Sequence, residues 1–233
     1  MTSVVITQSN YVPWRGWYAM VRASDTLVYL DDVQFTRRDW RNRNRIVVGR
    51  QPKWITIPVN NSGNYHSLIH EMTVSDPRWW ESHLSLLKSA YHSQDFFSSF
   101  ITKIHSVYQA LEGLDSLSSI NQRLNEWIFS TLKIATTVRD SREFPSHLKR
   151  SERLVEICKF IGANEYISGP AAKAYLDEKL FEENSIEVRW IDYSKLPPFE
   201  LPQLPEQELS ILHFLASIDQ SEVIRLTSFN KGQ

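Results

Sequence analysis

The chain has 233 residues, enough to bury a substantial core as one large domain or two small ones. A hydrophobic share of 42% with 23% charged residues is that of an ordinary soluble globular protein. The formal net charge of −1 excludes general polycation behaviour toward nucleic acids or anionic membranes, and no stretch approaches the ~20 apolar residues of a membrane span.

Val4-Val5-Ile6-Thr7 is a β-branched run that predicts a buried strand. A polar and aromatic loop follows from Gln8 to Gly16, then a helix over Trp17 to Ala23 and a second strand over Leu27 to Leu30. Strand, loop, helix and strand form a βαβ unit, which implies parallel pairing. Residues Ile46 to Val59 read as two strands around a turn at Gly49 to Pro52, followed by a loop from Asn60 to Asn64. Leu68 to Val74 predicts another strand.

Asp76 and Pro77 mark the start of a helix with a broad apolar face. One stripe is Trp80, Leu84, Leu87 and Tyr91; the adjacent one is Trp79, His83, Leu86 and Ala90. Two more helices are expected over about Phe96 to Leu111 and Leu117 to Leu132. Ile134 to Val138 returns to strand, and Lys149 to Gly162 is a helix ended by glycine. Tyr166 to Ser168 is a short strand, Ala171 to Phe181 a helix, and Ile186 to Tyr193 a strand. Pro197, Pro198, Pro202 and Pro205 mark an extended segment before a last helix over Leu209 to Ser217. The expectation is an α/β fold over residues 1–233. It has a parallel or mixed sheet, flanking helices and a helical insertion around residues 76–132.

The single cysteine, Cys158, rules out an intrachain disulfide and suits a reducing compartment. Met1 to Thr7 has neither a basic segment nor a long apolar run, so a cytoplasmic location is expected. Cys158 falls on the apolar side of a helix, where a thiol is inert.

Ligands of parallel α/β sheets sit beyond the carboxyl ends of the strands. Two such ends are the Gln8 loop and Asp31-Asp32. In the first, Gln8 and Asn10 are placed to hold a polar edge, and Tyr11 and Trp14 to stack on a ring; the alternative is a plain strand-to-helix turn. Paired carboxylates such as Asp31-Asp32 can orient a hydroxyl, act as a base or bind a metal, or simply cap the next turn. No HExxH motif or Cys/His ligand spacing supports zinc.

Five arginines then fall within the nine residues from Arg37 to Arg45. Guanidinium forks match phosphate and carboxylate oxygens, so Arg37, Arg38 and Arg43, with Trp40, Asn42, Asn44 and the preceding Gln34, read as one wall of an anion pocket. The alternatives are a solvated basic loop or an arm pairing with acidic residues of this chain; RNA is a further reading, for which one cluster in a chain of net charge −1 is a small footprint. His83 and His70 are the candidate titrating groups, although a histidine on an apolar helix face is more often a satisfied core residue. Ser168-Gly169, opening toward a helix with Lys173, offers backbone N–H groups to an anion. Lys149-Arg150-Ser151-Glu152-Arg153 either faces the same site or begins a solvated helix.

The segments Gln8 to Gly16 and Asp31 to Asn44 resemble the WbqC-like protein family. The likeness continues through Trp80 with His83, Tyr91, Ser151-Glu152-Arg153-Leu154, Tyr166 to Gly169 and Tyr175-Leu176-Asp177. The resemblance implies a role in polysaccharide or O-antigen synthesis, as a glycine- or acyl-transferring enzyme acting on amino sugars. It implies a phosphorylated small molecule or nucleotide sugar as substrate, and an acyl carrier or aminoacyl-tRNA as a possible donor; it names no cofactor. Asp32 or His83 would then take the amine proton. A nucleotide-binding or nucleotidyl-transferring enzyme, and a non-catalytic module of a glycan assembly pathway, are the competing readings. One departure stands out. The family tends to read Ser-Ile-Leu-Asp-Leu-Leu near its C-terminus, where this chain has Ser210-Ile211-Leu212-His213-Phe214-Leu215.

Overall fold

The computed structural model describes residues 1–60, 66–199 and 209–229. Five strands form one parallel sheet: β1 (Ser3–Thr7), β2 (Thr26–Tyr29), β5 (Thr137–Asp140), β6 (Glu165–Ser168) and β7 (Glu187–Trp190), in the order β5-β2-β1-β6-β7. Every pairing in it is parallel. Central strands of such a sheet are covered on both faces, which is why β1 and β2 read as unbroken apolar runs rather than alternating ones. A separate antiparallel hairpin joins β3 (Arg43–Val48) to β4 (Gln51–Thr56).

Eight α-helices surround the strands among the described residues: α1 (Arg15–Arg22), α2 (Trp79–Tyr91), α3 (Phe97–Ala110), α4 (Leu117–Leu132), α5 (Arg150–Ile161), α6 (Glu178–Glu183), α7 (Ile211–Ser217) and α8 (Gln220–Leu226). Helices α2 to α4 are the expected insertion between the second and third sheet strands. Their apolar stripes are the 3.6-residue repeats of the sequence. Leu117, Ile120, Leu124, Ile128 and Leu132 of α4 are all fully buried, each contributing about 1.5–3 kcal/mol. Gly162 ends α5 at φ 73°, a left-handed cap that glycine takes without steric cost.

Helix α1 is unusual in burying a cation. Arg15 is 1% exposed, and its guanidinium donates to the carbonyls of Leu226 (2.6 Å) and Pro197 (2.8 Å). Arg22, two turns on along the same helical face, donates to Leu132 O (2.8 Å) and Thr227 O (3.1 Å). The first helix is thus bonded to the chain's last described helix.

Several expected elements differ in form. Leu68 to Val74 is not a strand: Ile69–Glu71 is a 3-10 turn, flanked by single bridges Gln34↔Leu68, Thr73↔Ser116 and Val59↔Val74. Its buried side chains, Ile69 and Met72, lie three apart, the period of a 3-10 turn rather than a strand. The helix expected over Ala171 to Phe181 is broken. Pro170–Ala174 is a 3-10 turn, and α6 starts afresh where the Asp177 carboxylate accepts from Leu180 N (3.2 Å). The last strand stops at Trp190, because Asp192 caps a following 3-10 turn. The third sheet strand lies at Thr137–Asp140 instead of Ile134 to Val138, and α8 was not foreseen. Pro202, Pro205 and the loop residues 61–64 lie outside the described residues.

Candidate functional site

The strand order reverses direction at β1, the switch point at which open α/β sheets bind ligands. A cleft of about 1080 Å³ opens there, beyond the carboxyl ends of β1 and β2 and beside β6. Gln8 continues β1 into it, Asp32, Val33 and Gln34 follow β2, and Tyr166 belongs to β6. The far wall is the start of α5 and the loop before it, from Ser146 to Ser151 with Arg153 and Leu154.

Asp32 is the anionic group of this cleft. Its Oδ1 accepts from Ser141 Oγ (2.6 Å) and its Oδ2 from Arg153 Nη2 (3.2 Å). Arg153 is itself almost buried, and it also donates to Ser141 O (2.9 Å) and Glu156 Oε2 (3.2 Å). Such a buried pair adds little net stability, since desolvation offsets the attraction; its physical effect is to fix the direction of the carboxylate. Each carboxylate oxygen keeps a lone pair for a ligand N–H or O–H.

The opposite rim is cationic. His147, Lys149 and Arg150 are exposed and line the cleft where α5 begins. No side chain caps that helix start, so its first N–H groups and the positive end of its dipole are available to an anion. Arg150 is held at φ 52°, a left-handed conformation uncommon for a residue with a Cβ. Tyr175, 74% exposed, stands at the mouth, where its ring can meet a ligand. The Gln8 side chain makes no hydrogen bond among the described residues.

Of the residues predicted from sequence, Gln8, Asp32 and Gln34 are brought together in the cleft. Lys149, Arg150, Ser151 and Arg153 of the basic stretch line it too; the other predicted residues lie outside its lining. Asp31 is fully buried, accepting from Ser9 N (2.8 Å) and from Ser118 Oγ. It is a structural anchor beneath the Gln8 loop, and His70 Nδ1 donates to its carbonyl (2.9 Å). Tyr11 is buried in a polar chain with Tyr108 and His83. The Thr56 carbonyl can only accept, so His83 Nε2 carries the proton donated to it (3.0 Å). His83 Nδ1 therefore accepts from Tyr11 OH (2.7 Å), whose oxygen accepts from Tyr108 OH (3.0 Å). Burial pulls the His83 pKa down to about 4, so near pH 7 the ring is neutral with both nitrogens engaged. Trp14 folds back over Gly16, where any Cβ would meet the indole at 2.1 Å, and its ring packs against Tyr193 at 4.8 Å.

The arginine run resolves into a two-sided strand. Asn42 and Asn44 are buried on one side; Arg43 and Arg45 point to the other. Asn44 Nδ2 donates to the carbonyls of Tyr11 (3.1 Å) and Val12 (2.9 Å), Asn42 Nδ2 to Ile57 O (2.8 Å), and Tyr11 N to Trp40 O (3.0 Å). Arg41 donates to Asn10 Oδ1, and burial lowers its pKa against the pull of Asp39 at 3.6 Å. These bonds tie the hairpin to the Gln8 loop. Arg37 and Arg38 are exposed on the intervening loop. Ser168 is buried at the end of β6, Gly169 lies under the Tyr193 hydroxyl, and Lys173 reaches over the Trp190 ring at 5.5 Å.

Residues 8–224 match the WbqC-like protein family, a span from the Gln8 loop to α8. The chain belongs to that family. It is also 38% identical over 193 residues to "Uncharacterized protein Rv1507c" of Mycobacterium tuberculosis, covering 83% of each chain. No solved structure matches it.

In this WbqC-like protein the departure at His213 is half-buried against the core. The ring packs 5.6 Å from Tyr91, is pulled down to about pKa 4 by burial, and is not part of the cleft lining. Cys158 is buried, and its thiol is pushed up to about 12. No group of three or more metal-ligating side chains, and no helix long and apolar enough to cross a membrane, occurs among the described residues. Ser141 and Tyr175 were not expected at the site, and Arg153 only as one end of the Lys149-to-Arg153 stretch. Nothing local marked Ser141, which meets Asp32 only because β2 and β5 are neighbours.

Proposed function

We propose that this WbqC-like protein is a group-transfer enzyme of the acyl or aminoacyl type. Its acceptor is an amine on a phosphate-bearing small molecule of the nucleotide-sugar class, used in polysaccharide or related biosynthesis. The observation that carries this reading is the bipolar cleft: the directed Asp32 carboxylate on one side, and Lys149, Arg150 and the α5 N-terminus on the other. A ligand with an ammonium or hydroxyl at one end and phosphate at the other is complementary to both walls. Gln8 and Gln34 would read its polar middle, and Tyr175 would pack on a ring.

In the transfer step the amine nitrogen bonds to the donor's acyl carbon as the bond from that carbon to its leaving group breaks. Asp32 holds the amine and accepts its surplus proton. Asp32 is better suited to this role than His83, whose two nitrogens are occupied in the core. The donor would be an acyl carrier or aminoacyl-tRNA. We place the enzyme in the cytoplasm, as one domain.

A second reading, a nucleotide-binding or nucleotidyl-transferring enzyme, draws on the position of the cleft at the sheet's switch point. Thermal-shift titration with UDP-amino sugars, free nucleotides and inorganic phosphate tests both. The transferase reading expects an amino-sugar nucleotide to stabilise more than its neutral-sugar counterpart, with the difference lost in Asp32→Asn. Equal stabilisation by nucleotide alone favours the second reading, and no stabilisation by any phosphate compound refutes both.

A further inference from the structure

The cleft leaves unused the most basic part of the chain. Residues 37 to 53 hold seven arginines and lysines and one acid, Asp39, so a chain of net charge −1 is acidic over the rest of its length. Asp39 is engaged by Arg41. On the outward side of the hairpin, Trp54 stands opposite Arg45 in the strand register and is 36% exposed. The Arg43 guanidinium lies 4.0 Å from its ring centroid and that of Arg45 4.4 Å, with Trp40 tilted against it at 5.5 Å. Arg38 is exposed beside this cluster, its carbonyl bonded by Arg43; Arg50 and Lys53 are exposed toward the turn. Arg38, Arg50 and Lys53 make no salt bridge among the described residues.

A guanidinium resting on an indole loses little rotamer freedom on binding and keeps N–H edges for oxyanions. We propose that this shelf binds single-stranded RNA, with phosphates on Arg38, Arg43 and Arg50 and a base against Trp54. Combined planar cations and aromatic rings are the chemistry of single-strand recognition. An acidic protein is disfavoured because Trp54 is the one large exposed apolar side chain of the hairpin. A stable protein interface needs roughly 800 Å² per partner with an apolar core. The chain outside residues 37–53 is net acidic, which disfavours a polyanion over most of the remaining surface.

The test is fluorescence anisotropy of the full chain with a 5′-labelled 12-nucleotide single-stranded RNA, read together with tryptophan fluorescence. We expect binding that quenches tryptophan and weakens on the order of tenfold between 50 and 200 mM salt, as for about three phosphate contacts. Arg38→Ala with Arg43→Ala should weaken it at least tenfold. Arg43→Lys, which keeps the charge without the fork, should weaken it several-fold, and Trp54→Phe should weaken it less than Trp54→Ala. Asp32→Asn should bind RNA unchanged, which separates this site from the cleft. Absence of binding, or binding indifferent to these arginines, overturns the proposal. Equal binding of poly-glutamate with the same variant pattern and no quenching also overturns it, in favour of an acidic protein partner.

Discussion

The cleft and the arginine hairpin use the same residue type in opposite ways. In the cleft, Arg153 is buried against a carboxylate that stays accessible, so the cation directs an anion toward open space. In the hairpin, Arg41 is bonded to Asn10 and Asp39, and Arg43 and Arg45 rest on Trp54. There the buried work is done by the asparagines between them. The contrast shows that density of charge along a chain is a poor guide to a pocket. Strand alternation sends neighbours to opposite sides, while a lone arginine on α5, far along the chain, completes the site.

The comparison can be broken most directly at Asp32. Asp32→Asn should abolish transfer while leaving phosphate-dependent stabilisation in place; retained turnover on any identified substrate would remove Asp32 from the chemistry. Arg153→Ala comes next. It leaves Asp32 and Glu156 without their cation and should cost about 2–4 kcal/mol in urea unfolding, toward the lower end because water reaches Asp32. An unchanged midpoint would show that the pair fixes nothing.

On the hairpin side, Asn44→Ala removes two donations to the Gln8 loop and should cost roughly 1–3 kcal/mol, as buried carbonyls lose their partner. Arg38→Ala should change stability by less than about 0.5 kcal/mol, as an exposed residue does. If the two variants proved equal, the division of labour between asparagine and arginine would fail.

Acid offers a further handle. His83 and His213 are both held near pKa 4 in the folded chain, against an ordinary value of about 6.5 once unfolded. Between those values the unfolded state binds protons that the folded state refuses. Their contribution is therefore fully present above pH 6.5 and is lost as pH falls toward 4. The slope is on the order of 1 kcal/mol per pH unit for each histidine. Urea midpoints at pH 7, 5.5 and 4.5 should show the decline, and His213→Leu should flatten part of it.

Much of the fold was legible because its signals are local. Val4 to Ile6, the α4 stripe and Gly162 each state their own role through apolar run, period or left-handed cap. Asp32 and Gln8 could be placed in the site by the rule that strand ends carry ligands. The Ser141–Asp32–Arg153 cluster could not, because two separate chain connections, β2 to β5 and β5 to α5, bring those residues together. The Asn-Arg-Asn-Arg-Ile alternation did hold the answer for the hairpin. It was obscured by treating its arginines as a run rather than as every second residue of a strand.

Arg15 has a consequence for the order of folding. A guanidinium this deep needs its carbonyl partners, and these belong to residues 197 and 226. During synthesis the first helix is made early but cannot be seated in its final environment until the tail of the chain has emerged. The final packing of the N-terminal helix is therefore coupled to carbonyls 182 and 211 residues further along the chain. Truncation before Leu226 would strip a buried cation of one of its acceptors, so the stability of the first βα unit is tied to α8.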